Sequence, residues 1–343
     1  MVKFRHLNQS SANTPERKKS GQGAVEVNEF EEGQSGGTAD PELTDKKRRV
    51  LYERTSDYLS DVFAAIRRKE TFSPDPGFDL MRSMVDIQPF RDILFVMAIH
   101  MDDKYNFMIN HSVNVAIFSL KMGAGLGFDK ERQVEIATAA LFHDVGTALI
   151  PDDIINKSER LSEKEFKIFR DRPTHSYQIL RDLGNSYAFL AETAVQVYEK
   201  MDGSGYPHGL KGEDIHEYAQ IIGLVDMYEA LIHSRPQREK LLHFSAVKEI
   251  IKTSKNSFQR RHLKTLLSIF SIFPIYSYVR LNSEAIGKVI ETYPDQPMRP
   301  RLQIIYDSQK RRVLTERIIN LPENPLLYIT DSVSEEDLEQ MTE

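Results

Sequence analysis

The sequence predicts a mainly α-helical protein with a small antiparallel β unit near its C-terminus. Apolar residues recur with a period near 3.6 from about residue 50 to residue 270, which is typical of helices that bury one face. After residue 274 the pattern changes to alternation in segments rich in β-branched and aromatic residues. The hydrophobic share of 40% is that of a globular protein, and the length of 343 residues suggests about two domains.

Residues 1–45 are predicted to be a disordered tail. They mix small polar residues with charges of both signs, and their few apolar residues follow no pattern. Such a segment cannot bury enough apolar surface to offset its ordering entropy. The basic run Lys46-Lys47-Arg48-Arg49 is interpreted as the solvent-exposed beginning of a helix. Residues 46–95 are predicted to form an N-terminal helical segment.

The helices follow one another with short interruptions. The first runs to about Lys69 and stops before Ser73-Pro74-Asp75-Pro76-Gly77, a string of residues that favour turns. Glycines end the helix at 108–125, and Asp129 begins the helix that leads into His143-Asp144. The helices predicted after residue 69 cover residues 78–86, 89–101, 108–125, 129–142, 162–171, 174–183, 187–200, 214–233 and 243–255.

These boundaries define the remaining domains. Residues 96–270 are predicted to form a helical domain, and residues 271–330 a small β extension with strands near 276–282, 286–292 and 302–306. Pro294, Pro297 and Pro300 are expected in its loops, because proline cannot donate to a strand ladder. The acidic residues 331–343 are predicted to be a frayed tail.

Composition excludes several functional classes. The chain has no Cys, which rules out disulfides, thiolate nucleophiles, Cys-bound zinc and iron–sulfur clusters. The net charge of −6 argues against a nucleic acid polymer as partner. No apolar run approaches the ~20 residues that span a membrane, and the N-terminus lacks the apolar region of a secretory signal. We therefore expect a cytoplasmic protein.

Four polar residues are candidates for holding a divalent cation. His143-Asp144 ends an apolar helix, and an imidazole with a carboxylate suits such an ion, although a His-Asp pair alone more often has a structural role. His111 lies on an upstream helix. Asp226 lies inside an otherwise apolar helix, where a carboxylate is costly to bury unless a cation neutralises it. The alternative is that Asp226 pairs with an arginine or a helix end.

A glycine-rich loop completes a recognisable pattern. Asp202-Gly-Ser-Gly-Tyr-Pro207 by itself is a turn. The order His111, His143-Asp144, Asp226 on three helices resembles the HD phosphohydrolase superfamily. With this loop it resembles the HD-GYP proteins, which are metal-dependent phosphodiesterases of cyclic di-GMP. The resemblance spans residues 95–330 and implies an HD-type helical bundle, followed by an extension that residues 273–282 and 323–327 resemble.

The resemblance implies which residues hold metal ions. The family's first ion is held by the equivalents of His111, His143, Asp144 and Asp226, all of which are present. Asp144 is also shared with a second ion and is the expected catalytic residue. For that second site His175 is the only other ligand that remains. Imidazole and carboxylate ligands suit iron, manganese or zinc without choosing among them, and we expect one ion per chain.

The match fails at the second ion. Thr147 stands where the family has a lysine, Val197 and Tyr198 stand where it has a pair of histidines, and Phe107 replaces a glutamate found in some members. Losing one electrostatic donor can cost ~3 kcal/mol of transition-state stabilisation. These departures predict a degenerate member with an eroded second site. Restoring the lysine and both histidines is predicted to recover some hydrolysis.

The residues that would hold a nucleotide are better preserved. The resemblance places Arg235 and Arg238 against the phosphates, and helical i,i+3 spacing would let both point the same way. Tyr206, Gly205 and Lys211 keep the loop that borders the pocket. The alternatives are plain surface arginines and a solvated lysine. The remaining histidines without a ligand pattern are predicted to have surface or structural roles: His208, His216, His233 and His243.

Three hypotheses about function remain after this comparison. The first is a degenerate protein of cyclic di-GMP signalling, which binds the nucleotide or a protein partner through its N-terminal tail and has weak or no hydrolysis. The second is an active metal-dependent phosphodiesterase that hydrolyses cyclic di-GMP or another phosphoester. The joint loss of the lysine and the histidine pair favours the first. A bare scaffold with an empty site is a third reading, and residues 50–66 could pack on the domain or in a homodimer.

Overall fold

The computed structural model describes residues 41–86, 98, 107–235, 238, 240–254, 256–270, 273–293, 295–334 and 337–338. Most of the predicted N-terminal tail lies outside these residues, as does the helix predicted at 89–101 apart from Ala98. The prediction of a mainly α-helical protein with a small antiparallel sheet at its C-terminal end is confirmed.

The N-terminal helices are α1 (Pro41–Arg67), α2 (Asp75–Asp86), α3 (Phe107–Gly125) and α4 (Lys130–Phe142). Helix α1 begins earlier than predicted. Residues 41–49 are mostly good helix formers, but they lack the apolar stripe from which the helix start was predicted. Pro76 belongs to the first turn of α2, where its missing N–H is not required. Asp129, where the sequence predicted this helix to begin, caps α4, since its side chain accepts from the backbone N–H of Arg132 at 2.9 Å.

Shorter helices follow: α5 (Asp152–Ile155), α6 (Glu163–Arg170), α7 (Arg172–Arg181) and α8 (Ala188–Gln196). A 3₁₀ turn at Val145–Leu149 joins α4 to this group. Ser162 and Glu165 form a capping box at the start of α6. The helical part closes with α9 (Glu217–Ile232), α10 (His243–Ser254) and α11 (Arg260–Ile269).

The main hydrophobic core lies around α3, α4 and α9. Its fully buried side chains include Phe118, Leu141 and Leu224, one from each of these helices. Leu59 of α1 and Met81 of α2 belong to the same core. The apolar stretch at 50–66 therefore packs on the helical domain of its own chain.

The sheet contains β1 (Tyr278–Leu281), β2 (Ile286–Glu291), β3 (Arg301–Tyr306), β4 (Ile318–Asn320) and β5 (Ile329–Val333). Its order is β4-β3-β2-β1-β5, and all of these pairs are antiparallel. Strands β4 and β5 were not specified by the sequence pattern, because β4 is very short and β5 is interrupted by polar residues. Strand β5 extends to Val333, into the residues predicted to fray.

Helices α10 and α11 join the sheet to the bundle. Phe244 of α10 and Leu267 of α11 pack against the core of the sheet, which includes Val279 and Leu302. Among the helices within the described ranges, none combines the length and the apolar character that crossing a bilayer requires.

Candidate metal centre

His143 and Asp144 lie where the chain leaves α4. His143 is the C-cap of the helix, and Asp144 precedes the 3₁₀ turn; both side chains are buried. A glycine is needed two residues further on, because a Cβ on Gly146 would lie 2.1 Å from the carbonyl oxygen of Arg172. The backbone N–H of Gly146 instead donates to Ser176 Oγ at 2.8 Å. Gly146 thus lets α7 approach the turn that presents the His-Asp pair.

The structure brings His111 of α3 to this turn. One ligand atom from each of His111, His143 and Asp144 can be chosen so that all three lie within 4.8 Å of one another. All three residues are buried. This triad is the group of potential ligands that the described residues assemble.

His143 shows that the triad fits a cation. Its Nδ1 donates to the carbonyl oxygen of Ala140 at 2.7 Å, which leaves a lone pair on Nε2. Nε2 is buried and has no hydrogen-bond partner among the described residues. Its polar neighbour is Asp226 Oδ1 at 3.4 Å, which is also an acceptor. A buried lone pair that faces a carboxylate is satisfied by a metal ion, and a backbone carbonyl on the other ring nitrogen is the usual support for such a ligand.

Asp226 lies beside the triad. Its Oδ1 is 2.9 Å from His111 Nε2, and its side chain is 16% exposed. Burial would raise the pKa of Asp226, but the hydrogen-bonded imidazole of His111 and the neighbouring imidazole of His143 outweigh burial and hold the pKa well below its usual range. Asp226 therefore lies against two members of the triad, within 2.9 Å of His111 Nε2 and 3.4 Å of His143 Nε2.

Glu229 is a site residue that the sequence analysis missed. It lies one turn after Asp226 in α9 and is 2% exposed. Its carboxylate accepts a short hydrogen bond from His111 Nδ1 and another from Asn114 Nδ2 at 3.1 Å. Burial lowers the pKa of His111, but Glu229 and Asp226 together raise it to about 9. Asp226 was predicted as a site residue because burying a carboxylate within an apolar helix is costly. The same argument applies to Glu229, which lies on the same face of that helix.

His233 has the structural role predicted for it. It is buried, and its Nδ1 lies 3.0 Å from Glu229 Oε1. Its Nε2 lies 2.9 Å from the carbonyl oxygen of Ala98. Burial lowers the pKa of His233, and the contacts with Glu229 reverse the shift, so that the pKa is raised. His233 thereby supports the carboxylate that holds His111.

Arg172 is the second residue that the sequence did not reveal. It begins α7 and is buried, and its Nε lies 3.0 Å from Asp144 Oδ1 and 3.2 Å from Tyr198 Oη. Its guanidinium carbon lies 4.2 Å from the centre of the Tyr198 ring and 4.0 Å from that of Phe169. Nothing in the local sequence distinguishes this arginine from a surface residue.

An arginine–tyrosine stack continues from Arg172. The rings of Tyr198 and Tyr206 are 5.3 Å apart and inclined by 5°, and the guanidinium of Arg170 lies 4.2 Å from the centre of Tyr206. We call Arg170, Tyr206, Tyr198 and Arg172 the arginine–tyrosine stack. Val197, the other residue at the family's histidine pair, is 3% exposed and belongs to the main core.

A cavity of about 600 Å³ opens beside the triad. Its polar wall includes His111, Asp144, Asp226, Arg172 and Arg235, and aromatic rings such as those of Phe107 and Phe166 line another part. The cavity thus combines the potential metal ligands with arginines and apolar surface. Of the residues predicted to bind nucleotide, Arg235 lines this cavity.

Arg238 points elsewhere. Helix α9 ends at Ile232, and Arg235 and Arg238 exchange two backbone hydrogen bonds of 2.9 and 3.0 Å, so they form a turn instead of the expected helical pair. The guanidinium of Arg238 donates to the carbonyl oxygens of Ala230 and Leu231. These carbonyls belong to the last turn of α9, where no helical N–H is available to them.

The remaining predicted site residues lie around the loop and α7. Tyr206 lines a second cavity of about 370 Å³, together with Arg170. Gly205 packs against the backbone of Glu199, and the aliphatic chain of Lys211 lies over Gly203. His175 is half-buried and is outside both the triad and the described wall of the larger cavity. The roles of Tyr206, Gly205, Lys211 and His175 stay predictions.

Comparison with known proteins agrees with this geometry. Residues 96–261 match the family model described as HD domain, and residues 278–341 match that described as KOW domain associated with HD domain. The chain is 32% identical over 205 residues to cyclic di-GMP phosphodiesterase PdeB of Borreliella burgdorferi, covering 60% of this chain and 54% of that protein. It is 25% identical over 229 residues to cyclic di-GMP phosphodiesterase PA4108 of Pseudomonas aeruginosa, covering 67% and 55%.

The chain thus spans about half the length of these two curated relatives. Among solved structures, Bd1817, a HDG"Y"P protein from Bdellovibrio bacteriovorus, matches with a TM-score of 0.56 and 16% identity, covering 67% of this chain and 73% of that one. This likeness shows a shared fold.

Proposed function

The chain belongs to the HD domain family, in its HD-GYP branch, and from this premise we propose that it binds cyclic di-GMP beside a single divalent metal ion, with weak or no hydrolysis. The proposal rests on one observation. The triad of His111, His143 and Asp144 is assembled, whereas the positions of the family's histidine pair hold the core residue Val197 and the stacked Tyr198.

The residues of the triad would hold the ion, with Asp226 as the adjacent carboxylate. When bound, such an ion supplies a Lewis acid that polarises phosphoryl oxygens and lowers the pKa of water. Asp144 is proposed as the catalytic carboxylate, because it belongs to the triad and also lines the cavity. Arg235 presents a guanidinium to the same cavity, where its fork can bind phosphate oxygens.

Hydrolysis is expected to be weak because Thr147 stands in place of the family's lysine, and Val197 and Tyr198 in place of its pair of histidines. Thr147 carries no charge, and its Oγ1 is buried without a hydrogen-bond partner among the described residues. Loss of one preorganised electrostatic group costs about 10²–10³ in rate. The absence of both the lysine and a second ion would cost more, whereas nucleotide binding needs only the cavity and its arginines.

The alternative is an active phosphodiesterase of cyclic di-GMP or another phosphoester. It is supported by the convergence of the first-ion residues and by the names of the two curated relatives. Turnover separates this alternative from the proposal, because both functions share the same ion and the same cavity.

The test uses the full chain loaded with Mn²⁺ and, in parallel, with Fe²⁺. Calorimetric titration with cyclic di-GMP is expected to show micromolar binding, while chromatography shows little or no linear dinucleotide.

Arg235→Ala is expected to weaken binding at least about tenfold, because it removes a charged phosphate contact. Arg181→Ala, at an exposed arginine in α7, is the matched control and should bind as the unaltered chain does. Multiple turnover, or no binding of the nucleotide, would overturn the proposal.

A further inference from the structure

Arg172 forms an ion pair with the buried carboxylate of Asp144. Its Nε lies 3.0 Å from Oδ1 of Asp144, and both side chains are less than 10% exposed, at 9% and 4%. A buried carboxylate is stable as an anion only when a cation or several hydrogen-bond donors compensate it. Within the described residues, Arg172 is the arginine that compensates Asp144.

The rest of the guanidinium is fixed by its surroundings. Nε also faces Tyr198 Oη at 3.2 Å, and Nη1 donates to the carbonyl oxygen of Phe169 at 3.3 Å. The rings of Tyr198 and Phe169 lie within 4.2 Å of the guanidinium carbon. No hydrogen bond joins Nη2 to a described residue, and Arg172 belongs to the wall of the larger cavity. One donor nitrogen is therefore left for a ligand.

We propose that Arg172 takes the place of a second metal ion: it compensates Asp144, excludes another cation from that carboxylate, and offers Nη2 to a phosphate in the cavity. The identification of the phosphate ligand as part of cyclic di-GMP rests on the proposed function. The claim that Arg172 limits the chain to one metal ion does not. The ligand class is a phosphate oxyanion, for which a guanidinium fork is well matched.

Charge supports the exclusion. A further divalent ion on Asp144 would lie close to a guanidinium that cannot lose its proton in a protein. The two cations would repel each other in a buried site, where solvent screens charges less than in water. The ion bound by the triad is expected to share Asp144 with Arg172 alone.

The inference leads to a different expectation from the one stated above for restoring the lysine and both histidines. Val197 lies in the main core, so an imidazole there would disturb packing instead of adding a ligand. Arg172 Nε contacts both Asp144 Oδ1 and Tyr198 Oη. A histidine at that position therefore gains access to Asp144 only if Arg172 is removed as well.

The experiment counts manganese ions on the full chain after metal removal and reloading, by elemental analysis and by electron paramagnetic resonance. The unaltered chain and Tyr198→His are each expected to hold one isolated Mn²⁺. Arg172→Met combined with Tyr198→His is expected to hold two ions with a spin-coupled signal. Arg170→Met combined with Tyr198→His is the matched control and should stay at one ion, because the guanidinium of Arg170 lies on the ring of Tyr206, whereas that of Arg172 contacts Asp144.

Two ions in the unaltered chain, or in Tyr198→His with Arg172 in place, would overturn the proposal. One ion in the folded Arg172→Met/Tyr198→His variant would overturn it equally, because the guanidinium would then not be what excludes the second ion. Circular dichroism establishes whether each variant is folded before ions are counted.

A second measurement applies if the double variant does not fold. Inorganic phosphate is titrated into the Mn²⁺-loaded chain and into Arg172→Met and Arg170→Met. Arg172→Met is expected to weaken phosphate binding at least tenfold, and Arg170→Met is expected to leave it unchanged. If Arg172→Met binds phosphate as tightly as the unaltered chain, the proposed role of Nη2 is refuted. Failure to bind cyclic di-GMP in an otherwise one-ion protein would count against the proposed function alone.

Discussion

At the scale of single residues, buried hydrogen bonds connect the N-terminal helix to the candidate metal centre. Tyr52 of α1 donates to Asn114 Oδ1 at 2.9 Å, and Asn114 Nδ2 donates to Glu229 at 3.1 Å. Glu229 in turn accepts from His111, whose other nitrogen contacts Asp226. Each side chain fixes the orientation of the next, because an unpaired buried polar group is costly.

Glu229→Gln tests this support of His111. The amide keeps the shape of the side chain but removes the negative charge that orients the imidazole. We expect affinity for Mn²⁺ to fall by about 10–100-fold, as for other supporting partners of metal ligands. Metal titration measures the change, and Glu192→Gln, at an exposed position of α8, is the control. Unchanged affinity in Glu229→Gln would show that Glu229 does not orient the ligand.

The burial of His262 predicts that the free energy of unfolding depends on pH. It is fully buried in α11, and neither ring nitrogen has a hydrogen-bond partner among the described residues. Burial lowers its pKa from 6.5 to about 4. Between these values the unfolded chain binds a proton that the folded chain does not, so the contribution of His262 to stability is lost as the pH falls from 6.5 to 4.

His262→Leu should remove this part of the pH dependence. The loss of unfolding free energy between pH 7 and pH 5 is expected to be smaller in the variant by about 2 kcal/mol. Urea denaturation at the two pH values gives the comparison. His208→Leu, at an exposed histidine, should behave as the unaltered chain. An equal acid sensitivity in His262→Leu would show that this imidazole is protonated in the folded state as readily as in the unfolded one.

At the scale of elements, Glu199 organises the glycine-rich loop. Its buried carboxylate accepts hydrogen bonds from the backbone N–H groups of residues 208, 209 and 210, at 2.6, 3.1 and 3.1 Å. Hydrogen bonds to a charged group stabilise more than neutral ones. Glu199 thereby holds the segment that carries Tyr206 against Tyr198.

Glu199→Ala is expected to release this loop. Because three backbone donors lose their acceptor, amide hydrogen exchange at residues 208–210 should accelerate by at least about tenfold. Exchange measured by mass spectrometry reports the change, and Glu213→Ala, at an exposed residue near the end of the loop, should leave exchange unaltered. Slow exchange retained in Glu199→Ala would mean that other contacts hold the loop.

At the scale of the whole molecule, the helical bundle and the sheet share a hydrophobic contact. Phe273, which is 1% exposed, leads into the sheet, and its ring stacks on Phe244 of α10 at 5.2 Å. Leu267 packs against both the main core and the core of the sheet. This sharing predicts that the two parts unfold together.

Phe273→Ala should therefore lower the stability of both parts. Removing a buried phenylalanine costs about 3–5 kcal/mol of unfolding free energy. In urea, the helical signal in circular dichroism and the hydrogen-exchange protection of backbone amides in β1 to β3 are expected to be lost at the same lower midpoint. Leu326→Ala, at a side chain that is 86% exposed, should change stability little. A helical transition that stays in place would show that the bundle is stable without the sheet.

The sequence by itself determined the fold class and the chemistry of the triad. The 3.6-residue period is a property of consecutive residues, and it marked the helices because each must bury one face. His111, His143 and Asp144 were recognisable because few other side chains bind divalent ions and because they occur in an ordered motif. Asp226 was recognisable from the cost of burying a carboxylate within an apolar helix.

Only the tertiary structure decided what those residues contact. Arg172 reaches Asp144 across 28 positions of the chain, and Glu229 reaches His111 across 118. Helix α9 ends before Arg238, whose guanidinium therefore donates to carbonyl oxygens at the end of that helix. Strand β5 pairs with β1 along the edge that β2 does not occupy. Periodicity tells which face of an element is buried but not which element covers it. The pairing of charges between elements therefore depends on packing that no local pattern records.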